Sequence, residues 1–127
     1  KNAAEPQRQA LLWIRNNVSR NSTIVTNSYL FTDLREPGGM GVGSGKPFSN
    51  AQIYSNASMD PAVYASEWKG NWQNINYIVV DPTMQHDIQS STNYSILNEA
   101  LHHGILQAQF GSSQDGTLIQ VYQVISK

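Results

Sequence analysis

The sequence predicts a single α/β domain, a three-layer α/β/α sandwich whose mixed sheet is parallel at its centre and closes with a C-terminal antiparallel hairpin. Three observations carry this. A one-faced apolar helix near the start leads into a short β-prone run, Thr23-Ile24-Val25-Thr26. A continuous apolar run, Tyr77-Ile78-Val79-Val80, reads as a central strand covered on both faces. The last twenty residues alternate, turn and become rich in Ile, Val and Tyr. A length of 127 residues suits one such domain, spanning residues 1–127.

Each element follows from local chemistry. Pro6 suits the first turn of a helix, where a missing N–H costs nothing. Ala10, Leu11, Trp13, Ile14 and Val18 then recur at three- and four-residue spacing, which predicts an amphipathic helix to about Asn16. After the first strand, Tyr29, Leu30, Phe31 and Leu34 support a short helix over 27–35, stopped by Glu36-Pro37-Gly38-Gly39. Glycine fills five of the eight positions from Gly38 to Gly45, so 36–50 is expected to be a flexible loop. Asp60-Pro61 opens a further short helix through Ala62, Tyr64 and Ala65, ending near Gly70. Asp81-Pro82 closes the central strand. Ile96, Leu97, Ala100 and Leu101 form a helical stripe ended by Gly104. Leu106, Ala108 and Phe110 alternate, Gly111 to Gly116 turns, and Leu118 to Ile125 completes the hairpin.

Composition narrows the function. Charged residues are 13% of the chain, about half the usual share, while Asn, Gln and Ser together are 37 of the 127 residues. This amide- and hydroxyl-rich polarity suits a secreted or cell-surface protein. The net charge is −1, and the eight Lys and Arg are scattered, so there is no stripe for phosphates and nucleic acid is not an expected partner. Without cysteine, disulfides, thiolate metal sites and a cysteine nucleophile are excluded. No apolar run approaches the ~20 residues of a membrane span.

Catalytic and cofactor motifs fail on spacing. The run Gly38 to Pro47 lacks the first phosphate-loop glycine, where Met40 stands, and the hydroxyl after Lys46, where Pro47 stands. A dinucleotide fingerprint from Gly41 and Gly43 would need glycine in place of Lys46. No cofactor is expected. Glu99 with His102 or His103 can share a helix face, but two ligands do not make a metal site, and histidines also favour a helix C-terminus for its dipole. No serine sits in a Gly-x-Ser-x-Gly elbow, and no catalytic set is assigned. Asp81 lies at the carboxyl end of the central strand, where open α/β sheets bind ligands, although a turn residue before Pro82 is the favoured reading. Tyr64, Trp68 and Trp72, spaced by four, suit either sugar stacking or packing on the sheet. Asn27, Asp33, Arg35, Trp72 and Asp81 are the candidate ligand-binding residues. Sequons for N-glycosylation occur at Asn17, Asn21, Asn56 and Asn93.

Ala10 to Val18, Thr23-Ile24-Val25 and Tyr29 to Arg35 together resemble one family, the C-terminal soluble region of bacterial membrane glycosyltransferases related to the protein O-mannosyltransferases and aminoarabinose transferase. Lys46 to Ala51, Met59 to Val63, Trp72 to Val80 and the hairpin agree with it. The sequence departs from this pattern at Gln52-Ile53-Tyr54-Ser55, where relatives carry a more aromatic string. The resemblance implies enzymes that use polyprenyl-phosphate sugars and carry a many-helix membrane portion, with catalytic carboxylates in an extracytoplasmic loop near its start, all of it outside these residues. This chain would then be an accessory extracytoplasmic domain of an integral membrane protein, partnered by the membrane-embedded portion of the same polypeptide and near the lipid-linked sugar and its acceptor. The other expectation is a free-standing α/β module that binds a small ligand or sugar.

Overall fold

The computed structural model describes residues 4–36 and 46–125. Helix α1 (Ala4–Asn17) leads to strand β1 (Ile24–Thr26) and helix α2 (Ser28–Arg35). Strand β2 (Ala51–Ile53) passes directly into helix α3 (Tyr54–Met59), then a π-helical turn (Ala62–Glu67) and a 3₁₀ turn (Trp72–Asn74). Strand β3 (Tyr77–Val80) is followed by helix α4 (Pro82–Ser90), helix α5 (Ser95–His102) and the hairpin of β4 (Gly104–Phe110) and β5 (Ile119–Val124).

The five strands form one mixed sheet in the order β2-β1-β3-β5-β4. β1 is parallel to both β2 and β3, while β5 is antiparallel to β3 and to β4, so the expected parallel centre and antiparallel hairpin are both present. Alternation along the strands splits the core in two. Ile24 and Val79 face α1 and α2, joining Leu11, Ile14, Leu30 and Leu34. Val25, Ile78 and Val80 face the other way, joining Trp68, Met84, Ile88 and Leu97. Gly111 allows the hairpin turn, because it has φ 77° and a Cβ there would lie 2.3 Å from the Thr117 carbonyl oxygen.

Three elements were not expected: β2, α3 and α4. Asp81-Pro82 does more than end β3. The Asp81 side chain accepts from the Met84 N–H and Pro82 fills the first turn, so the pair starts α4. Of the loop expected over 36–50, residues 37–45 lie outside the described residues. Within 46–50 one residue is anchored in the core: Phe48 is fully buried, its N–H donates to the Leu34 carbonyl at 2.9 Å, and the Arg20 guanidinium lies 4.4 Å from its ring centroid. The apolar surface of Phe48 outweighs the polar residues around it.

Candidate functional site

The chain order makes a crevice at one end of the sheet. From β1 it crosses through α2 to β2 on one side, and later returns to β3 on the other. The carboxyl ends of β1 and β3 are therefore adjacent at the point where the winding reverses, the usual ligand position in open α/β sheets. Asn27 follows β1 and Asp81 follows β3.

These two residues meet. Asn27 Nδ2 and the Tyr29 hydroxyl each donate to Asp81 Oδ2 at 2.6 Å, and the Met84 N–H donates to Oδ1 at 2.8 Å. Asn27 also caps α2 through its side-chain oxygen. Burial pushes the Tyr29 hydroxyl well above the ordinary tyrosine range, and the hydrogen bond to Asp81 and its negative charge push in the same direction. Tyr29 therefore stays protonated and donating. A second pair stands nearby, where Tyr54, directly after β2, donates to Asp87 on α4 at 2.5 Å. Burial raises its pKa too, ahead of the effect of Asp87.

Beside Asp81 is a cavity of about 300 Å³, lined among others by Gln7, Tyr29, Thr83 and Thr117. That volume is at the lower end for small-molecule sites. With three donors on it, the Asp81 carboxylate has one of its roughly four acceptor positions left. It can orient a ligand hydroxyl or amide, but it is held as a scaffold.

The other three candidates lie elsewhere. Asp33 offers its backbone carbonyl to Arg15 Nη2 at 2.7 Å, and burial raises its carboxyl pKa while Arg15 opposes the rise. Arg35, at the end of α2, donates from Nε and Nη2 to the Ala51 carbonyl at the amino end of β2. Trp72 stacks on His103 with ring centroids 4.0 Å apart and planes 9° apart. His103 Nε2 in turn lies 3.2 Å from Glu99 Oε2. No group of three or more His, Asp or Glu among the described residues is arranged to hold a metal ion. Trp68 is 1% exposed and belongs to the core.

Tyr29 is the residue that reading by sequence misses. Its place on a short apolar helix hides it, although an Asn-Ser-Tyr string straight after a buried strand signals a hydroxyl at the strand's carboxyl end. Comparison with protein-family models, with curated proteins and with solved structures finds no match.

Proposed function

We propose that this chain is the extracytoplasmic domain of a membrane glycosyltransferase that moves a sugar from a polyprenyl-phosphate carrier to a cell-surface acceptor, and that the domain is not catalytic by itself. The observation that carries the reading is the resemblance of its strings to the soluble region of that family, from Ala10 to the final hairpin. The geometry at Asp81 is in keeping with it, because a carboxylate bound by Asn27, Tyr29 and the α4 backbone is a fixed acceptor rather than a free base. On this reading the domain sits at the outer face of the membrane, against the membrane-embedded portion of its own polypeptide.

Two measurements test it. The reading frame upstream of Lys1 is expected to continue into many apolar segments, and the parent protein to transfer sugar from a lipid-linked donor while the 127-residue chain alone does not. Transfer or hydrolysis by the chain alone, or an upstream frame without such segments, overturns the proposal.

A second reading has its own support. The meeting of Asn27, Tyr29 and Asp81 beside a cavity at the winding reversal is the arrangement of a small polar-ligand site. Ligand-induced shifts in the amide spectrum centred on Tyr29 and Thr83, abolished in Asp81→Asn, are the result expected of it.

A further inference from the structure

At the opposite end of the sheet, the amino ends of β1 and β2 border a cleft of about 480 Å³ with Trp68 as a buried wall. Four of its polar side chains are held in place. Arg35 spends Nε and Nη2 on the Ala51 carbonyl, at 3.1 and 2.9 Å, and its guanidinium lies 5.2 Å from the Phe31 ring centroid. Gln52, 9% exposed, donates from Nε2 to Glu67 Oε1 at 3.0 Å. Asn50 donates from Nδ2 to the Asn21 carbonyl at 3.0 Å.

Subtracting these bonds leaves a defined set of unused positions among the described residues. Arg35 Nη1, the second hydrogens of the Asn50 and Gln52 amides and the Thr23 and Ser49 hydroxyls can donate, and Asn50 Oδ1, Gln52 Oε1 and Glu67 Oε2 can accept. This mixture of donors and acceptors selects against an anion, which brings no protons for the acceptors. It also selects against an ammonium ion, which brings no acceptor for the arginine. A hydroxyl supplies both. The formal charges of the lining, one positive at Arg35 and one negative at Glu67, cancel, so the lining gives a charged ligand no net attraction. Because the polar side chains are already fixed, little ordering is needed on binding.

We propose that this cleft binds a neutral polyhydroxylated ligand, a sugar ring, through Arg35, Asn50, Gln52 and Glu67. The proposal goes beyond the function argued above and stands whether or not the chain belongs to a glycosyltransferase, because it rests on the cleft alone.

The test is a titration of the ¹⁵N-labelled 127-residue chain with mannose, galactose, glucose and N-acetylglucosamine in turn, and separately with inorganic phosphate and with glycine. At least one sugar is expected to give saturable shifts centred on Asn50, Gln52 and Trp68, with phosphate and glycine giving none there. Glu67→Ala and Asn50→Ala, both changes at exposed side chains, are expected to weaken that binding about tenfold while keeping the folded spectrum. The absence of saturable shifts with every sugar overturns the proposal, as do shifts centred on Tyr29 and Thr83 instead. Equal response to phosphate overturns it in favour of an anion site, and sugar binding unchanged in both variants overturns the assignment of these residues.

Discussion

At the carboxyl end of the sheet Asp81 is met by three donors and Asp87 by a tyrosine hydroxyl, whereas at the amino end Glu67 meets one donor and keeps an oxygen unused. Both ends carry carboxylates, amides and aromatic rings. Their carboxylates differ in how far away in the chain the side-chain partners lie and how deeply they are set. Asn27 and Tyr29 reach Asp81 across 54 and 52 residues and join the two halves of the parallel sheet. Gln52 reaches Glu67 across 15 residues, at the edge formed by β2. A polar group whose partners come from distant segments ties the fold together. One that keeps unused valences at an edge is left for a ligand.

If the carboxyl end is a tie, breaking it has the largest effect. Asp81→Ala removes the α4 cap and leaves the Asn27 and Tyr29 donors without their acceptor, at a cost of about 3 kcal/mol. Thermal unfolding is expected about 10 °C lower; an unchanged Tm removes the contrast between the two ends. Tyr29→Phe comes next, at about 1–2 kcal/mol in urea unfolding. It also has a pH signature. Folding raises the Tyr29 pKa above its unfolded value near 10, so its contribution is complete below that value and declines as pH rises beyond it. The wild-type chain is therefore expected to lose stability above about pH 10 more steeply than Tyr29→Phe does; parallel curves for the two overturn the assignment.

The same contrast governs what can be read from the chain before folding. Helix α1, the helix after β1, strand β3 and the hairpin announce themselves by periodicity, since each buries a regular face. Asn27 and Asp81 are legible as site residues because each directly follows a buried strand. Strand β2 is three residues long, Ala51-Gln52-Ile53, too short to show a period, and its pairing with β1 depends on the crossover through α2. Without β2 there is no reason to bring Arg35, Gln52 and Glu67 together, so the amino-end cleft is invisible in sequence. Helix α4 was hidden differently. Its signals, Asp81 as cap, Pro82 in the first turn and Met84 and Ile88 four apart, are all present, but the same Asp-Pro pair also reads as a strand terminator. Phe48 escapes because polar and glycine-rich neighbours mask one residue that is fully buried.

At the amino end the expected effects shrink. Arg35→Leu takes both donors from the Ala51 carbonyl and uncovers the edge of β2, for about 1 kcal/mol in urea unfolding. Glu67→Ala is the smallest and the most discriminating. The side chain is exposed and its one hydrogen bond is to Gln52, which borders the open cleft, so stability is expected to change by less than about 0.5 kcal/mol. A loss approaching that of Tyr29→Phe means that Glu67 is also a tie, that Gln52 depends on it for its place in the core beside Trp68, and that the amino end is built on the same plan as the carboxyl end. A near-zero change leaves Glu67 with no structural reason for its position over the cleft, and binding as the property by which to judge it.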